Sequence, residues 1–181
     1  MHNHSHSHSH GKDDRIGWTF FLNVSFTIIE FIGGWLTNST AIMADAVHDL
    51  GDSLSIGFAW ILSRFSDKEA SDRFSYGYRR LTLFGALINS IVLVIGSVWV
   101  LFEAIPRLSN PEMPMAEGML GLALLGVAVN GYAVFKLKAG KTLNEKVLTW
   151  HLLEDVLGWV AVLIVSIVLL FVDLPILDPL L

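Results

Sequence analysis

Cysteine is absent from the 181 residues, which excludes disulfides, a thiolate zinc site and a thiol nucleophile and leaves the redox compartment unread. Charge is scarce as well. Asp, Glu, Lys and Arg make up 16% of the chain, where soluble domains carry about a quarter. A formal net charge of −5 with histidine neutral offers no basic surface, so no nucleic-acid partner is expected. What is plentiful is apolar side chain, 53% of residues with a mean hydropathy of +0.57, and the solvent that suits such a chain is the bilayer. At about 20 apolar residues per crossing, the length after a polar start holds roughly five or six spans and leaves no room for an appended soluble catalytic domain.

The expected fold is an all-α membrane helix bundle with five complete spans and the start of a sixth. Residues 1–14 read as a flexible tail with alternating His2, His4, His6, His8 and His10 and almost nothing to bury. Residues 15–181 form the transmembrane domain. Its spans are expected at about 16–36, 40–63, 81–105, 117–135 and 147–172. The third is expected to stop at Pro106, Pro111 and Pro114. The second is less apolar, because Asp45, His48, Asp49 and Asp52 fall inside it. Residues 176–181 are apolar but too short to cross, and read as a sixth span cut at its start. Gly33, Gly34, Gly85, Ala86, Gly126 and Gly131 are candidates for ordinary close helix packing.

Orientation follows Lys and Arg in short loops. Lys12 and Arg15 precede the first span, Arg64, Lys68, Arg73, Arg79 and Arg80 follow the second, and Lys136, Lys138, Lys141 and Lys146 follow the fourth. Of the 12 basic residues only Arg107 falls on the other side. The amino terminus is therefore expected in the cytoplasm, and the setting is expected to be a bacterial inner membrane.

An Asp at the centre of a spanning helix costs about 2.5–3.5 kcal/mol on insertion scales, so the acids of the second span call for a use. His48 and Asp52 are one turn apart on one face, about 6 Å along the axis. His151 and Asp155 repeat the spacing and order in the fifth span. The loop charges make these spans antiparallel, which sets His48 level with Asp155 and Asp52 level with His151. Two nitrogens and two oxygens in a closed four-coordinate cage suit zinc. The two carboxylates neutralise a dication, and an emptied cage is neutralised most simply by protons. Since metal ligands must be deprotonated, metal entry and proton loss are coupled, which gives exchange of metal for protons.

Asp45 and Asp49 are a rival pair at the same spacing. Asp45 shares the face of His48, while Asp49 is turned about 100° from it. With His48 and Asp52 as ligands, Asp45 and Asp49 support them or line the ion's path. The six groups pairing only with one another across helices is the competing structural reading. Glu154, beside Asp155, is expected to meet a basic loop residue or water. Glu30, Asn23, Asn89 and Asn130 are expected to hydrogen-bond between helices in preference to lining a polar path. Two other classes fit less well. A passive metal channel needs weak or multi-site binding. An intramembrane metalloenzyme needs an open coordination position and a general base, and no His-Glu-x-x-His helix is present. The protein is read as a transporter, not an enzyme, with no catalytic cofactor and with zinc as its cargo.

At these residues the sequence resembles the cation diffusion facilitator family, in its zinc-transporting branch. The stretch from Glu30 through Gly33, Gly34, Asn38, Asp45, His48 and Asp49 to Asp52 is similar to that family's first-to-second helix signature. Tyr76 to Arg80 with Gly85 to Asn89 resembles the start of its third helix, Glu103 to Pro111 that helix's exit, and His151 to Asp155 its fifth helix. The resemblance implies a six-helix transporter, homodimeric when whole, that exports divalent cations by proton antiport with His48, Asp52, His151 and Asp155 on the metal. It implies zinc, with cadmium or cobalt tolerated. Two departures stand out. Phe74 and Tyr78 occupy positions where some relatives build a further metal site with histidines, so that site is expected to be absent. The family's cytoplasmic carboxy-terminal domain and most of the sixth helix are also missing. The histidine tail would capture zinc loosely near the cytoplasmic entrance.

Overall fold

The computed structural model describes residues 10–65, 79–137 and 143–181, with side chains described for 17–61, 83–135 and 150–181. Among the described residues there are helices and no strands. The helices are α1 (His10–Thr37), α2 (Thr40–Phe65), α3 (Arg79–Ser109), α4 (Ala116–Leu137), α5 (Leu143–Phe171) and the short α6 (Leu177–Leu180). The chain is an all-α, multi-pass membrane protein. Four helices contain stretches long and apolar enough to cross: Gly17–Thr37, Leu83–Ser109, Ala116–Phe135 and Trp150–Phe171, with mean hydropathies of 1.4, 2.2, 1.8 and 2.3. The 26-residue α2 is not among them, although it is as long, because Asp45, His48, Asp49 and Asp52 lower its hydropathy. The apolar stretch of α3 is only 6% buried, so nearly all of that surface is left for lipid or for another chain.

Each expected span has its helix, with ends displaced by a few residues. α1 already begins at His10, inside the stretch read as a tail, while residues 1–9 lie outside the described residues. Several expectations are corrected, the first at Pro106. Pro106 does not stop α3, which runs through it to Ser109. Proline removes a single helical N–H, and the turn after it is fixed from outside. Arg107 donates Nη1 to the backbone oxygen of Asn38 and Nη2 to Asn38 Oδ1, both at 2.8 Å.

The chain forms two compact units. The first comprises Met1–Ile29 and Val47–Val98. Here Asn23 Nδ2 donates to Ser53 Oγ at 3.0 Å, and the Thr27 and Ser53 hydroxyls lie 3.2 Å apart, joining α1 to α2. Asn89 Nδ2 donates to Ser55 Oγ at 2.9 Å, joining α3 to α2. Both asparagines therefore bond between helices, as expected. Phe20 stacks on Trp60 at a centroid distance of 5.8 Å, and Gly85 leaves space for Phe58, whose ring a Cβ there would meet at 2.9 Å.

The second unit comprises Glu30–Ala46 and Trp99–Leu181. Its α4 packs along α5, and the contact depends on Gly126. A Cβ at that position would lie 2.1 Å from the Trp159 ring, which is itself buried. A Cβ on Gly33 would meet Leu122, and one on Gly34 would meet Met43. Two of the small residues do not serve this way. Ala86 of the first unit is exposed, and a Cβ on Gly131 would meet nothing within 4 Å. Asn130 bonds within its own helix, to the Gly126 carbonyl at 3.2 Å, and not across to another.

The turn between α1 and α2 is held by several hydrogen bonds. Asn38 adopts a left-handed φ of 55°, a conformation that asparagine tolerates better than most residues. Its Nδ2 donates to Glu112 Oε2 at 3.0 Å, and Met115 N donates to the Thr37 carbonyl at 2.8 Å. Beyond the turn, the buried Asp178 carboxylate of α6 accepts from Ser39 Oγ at 2.5 Å and from Thr40 N and Thr40 Oγ1 at 2.7 Å.

Replacing Gly126 with Leu is expected to lower the unfolding free energy by about 1–3 kcal/mol through overpacking against Trp159. The same change at Gly131 should leave stability unchanged or raised. Thermal unfolding of the two variants in detergent measures the difference, and equal midpoints would contradict this account of the α4–α5 contact.

Candidate metal centre

The two His-x-x-x-Asp couples occupy different helices and different units. In the first unit α2 carries His48, exposed, and Asp52, half-buried, one turn further on. Asp49, between them, is buried with 7% of its surface accessible. Its backbone carbonyl accepts from Asn23 Nδ2 at 3.5 Å. In the second unit α5 carries His151 and Asp155, both half-buried. Each couple presents one imidazole and one carboxylate on a single side of its helix. Glu154 is exposed and borders an open recess lined by Trp150, His151, Leu153 and Leu157.

The second unit also holds the start of α2, and there α2 meets α5. Asp45 is half-buried, and a Cβ built on Gly158 would meet only Asp45 Oδ1, at 4.0 Å. Gly158 lies three residues after Asp155 and seven after His151, so all three share one side of α5. Asp45 lies three residues before His48 and seven before Asp52, which gives α2 the matching stripe. The lack of a side chain at Gly158 keeps the space in front of the Asp45 carboxylate open.

Other residues singled out from the sequence fall elsewhere. Glu30 is fully buried in the second unit. His10 opens α1, but its side chain is not among those described, and His2, His4, His6 and His8 lie outside the described residues, as do Phe74 and Tyr78.

Asp178 and Arg107 are the residues that sequence reading missed. Residues 176–181 read as a short apolar stretch, and Arg107 as the one basic residue on its side. A signal for Asp178 was present: α2 has no acidic residue in its own first turn, and an acid followed by proline opens the last helix.

A family profile described as the cation efflux transmembrane domain matches residues 18–181. The chain is similar to a protein of Bacillus velezensis named cadmium, cobalt and zinc/H(+)-K(+) antiporter, with 34% identity over 174 residues, 94% of this chain and 55% of the relative. It is similar to zinc transporter ZitB of Pectobacterium atrosepticum, with 33% identity over 183 residues, 99% of this chain and 57% of the relative. A third relative, metal cation efflux system protein CzcD of Cupriavidus metallidurans, is 30% identical over 170 residues, 93% of this chain and 54% of its own. The chain thus spans about half the length of the curated relatives it matches.

Filling the space at Gly158 is expected to disturb metal binding before it disturbs folding. Gly158→Leu in the whole protein should weaken zinc binding at least tenfold by isothermal titration while helix content by circular dichroism stays constant. Unchanged affinity would place the Asp45 side of α2 away from the metal.

Proposed function

The chain belongs to the cation efflux family, and from that premise we propose that the whole protein exports zinc from the cytoplasm in exchange for protons, through His48, Asp52, His151 and Asp155. The observation that carries the reading is that the Asp45 carboxylate lies opposite Gly158, with its Oδ1 4.0 Å from where a Cβ on that glycine would stand. On antiparallel helices this sets a register. Three residues along α2 and three back along α5 bring His48 level with Asp155, and seven bring Asp52 level with His151. The two couples then face one ion with two nitrogens and two carboxylate oxygens, a donor set that suits zinc. Cadmium and cobalt fall within the same reading, and both occur in the name of the Bacillus relative.

The coupling follows from charge. With zinc bound, two carboxylates and two neutral imidazoles leave the site without net charge. When the ion leaves, the carboxylates are uncompensated in a medium that penalises them heavily, and protons restore neutrality. Imidazole, with a reference pKa near 6.5, changes protonation close to neutral pH. Proton binding on one side of the membrane therefore displaces metal, and deprotonation on the other readmits it.

In this reading Asp45 and Asp49 line the ion's path or steady the ligands, and Glu154 stays outside the site. The amino terminus faces the cytoplasm of a bacterial cell across the inner membrane, and the alternating histidines gather zinc there. The whole protein acts as a homodimer.

His151→Ala is expected to weaken zinc binding and to abolish pH-dependent flux, while Glu154→Gln leaves both within about twofold, because His151 holds the ion and Glu154 is exposed. Zinc flux into proteoliposomes with and without an imposed pH gradient measures this on the whole six-helix protein. Equal damage from the two substitutions would mean the ligands are wrongly assigned. Flux indifferent to the gradient would remove the proton exchange.

A further inference from the structure

The first turn of α2 has four backbone N–H groups that no helical carbonyl can satisfy, and every one of them has a partner. Thr40 N and Ala41 N donate to Asp178 Oδ2 and Oδ1 at 2.7 and 3.4 Å. Ile42 N donates to Ser39 Oγ at 3.2 Å, and the N-cap amide, Ser39 N, to the Gly34 carbonyl of α1 at 3.0 Å. Ser39 and Thr40 in turn donate their hydroxyls to the same carboxylate, at 2.5 and 2.7 Å. Asp178 is 2% exposed. A single buried carboxylate 138 residues further along the chain thus accepts four hydrogen bonds from one helix end. Ser39 already supplies a local cap through its Oγ on Ile42 N. A cap supplied by α6 does something more, because it ties the position of α2 to another helix.

We propose that Asp178 is a positioning residue for the metal site, holding the start of α2 so that Asp45, His48 and Asp52 stand where the ion is bound. The inference rests on the zinc-exchange reading given above. At 1.5 Å per residue the three side chains lie about 7, 12 and 18 Å along the helix from Thr40, so a displacement at the anchor is carried to each of them. Zinc–ligand distances fall within about 0.2 Å of their usual values, so binding depends on where the ligands are held. The opposite side of the same turn is held by Arg107 on Asn38. The turn is held as well by Asn38 on Glu112 and by Met115 N on the Thr37 carbonyl, so releasing Asp178 leaves α2 attached but with its first residues free to shift about those remaining holds, which changes ligand geometry more than it changes overall folding.

The test compares Asp178→Asn, Asp178→Ala and Asp178→Glu with Asp173→Asn, a change at an exposed acid five residues earlier, all in the whole six-helix protein. Hydrogen exchange of the amides of residues 40–43 reports the anchor. Zinc KM and kcat per folded molecule in proteoliposomes, together with equilibrium zinc affinity in detergent, report the site. The Asn and Ala variants are expected to exchange at least tenfold faster at Thr40 and Ala41, to show zinc KM raised at least fivefold, and to bind zinc at least fivefold more weakly. The Glu variant should recover part of the loss, and Asp173→Asn should match the parent. Unchanged exchange, or faster exchange with KM, kcat and affinity unaltered, would overturn the proposal. If the Asn and Ala variants fail to fold, Thr40→Val removes one hydroxyl donor and is expected to give a smaller loss in the same readouts; no loss would overturn the proposal. A parent protein that moves no zinc would defeat the exchange reading alone, and the positioning role would then stand or fall on exchange and affinity.

Discussion

A carboxylate placed among apolar helices has to be given a countercharge or enough hydrogen-bond donors, since neither water nor lipid will supply them there. That constraint is met in two ways in this chain. Asp178 is satisfied completely by donors, two hydroxyls and two backbone amides at the start of α2, and so is a fixed structural group. Asp52 of α2 and Asp155 of α5 each stand one turn from an imidazole and are half-buried, and in the proposed mechanism they are satisfied by a cation that comes and goes. The first arrangement builds a static joint. The second makes neutrality depend on what is bound, which is what an exchanger requires.

The packing around these groups is correspondingly close. Gly126 admits the Trp159 ring between α4 and α5, and Gly34 admits Met43 between α1 and α2. Because lipid tails are as apolar as the side chains, close contact and interhelical hydrogen bonds, not hydrophobic collapse, hold such helices together. Asn23, Thr27 and Ser53 supply the bonds in the first unit, and Arg107, Asn38 and Asp178 supply them in the second. The exposed surface of α3 is largely apolar.

Much of the fold was legible in the sequence because hydropathy reports the membrane directly. Even α2, with its three acids, was readable as a helix beginning at Thr40. Pro106 was misread because a proline's local cost says nothing about what holds the following turn, and here the holding group is Arg107, whose partner Asn38 is 69 residues away in sequence. Asp178 escaped notice for the same reason: its role exists only once α6 meets the start of α2. Gly131 looked like a packing glycine because composition cannot distinguish a glycine facing a neighbour from one facing open space. Local pattern thus revealed which residues are expensive, whereas long-range contacts determine which of them are anchors.

The central claim is that the costly side chains of α2 and α5 share one dication. Anomalous scattering at the zinc edge from crystals of the whole protein measures this directly. The account predicts one peak within about 2.0–2.2 Å of a nitrogen from each of His48 and His151 and an oxygen from each of Asp52 and Asp155. A peak ligated by one helix alone, or no peak between the two, would contradict it.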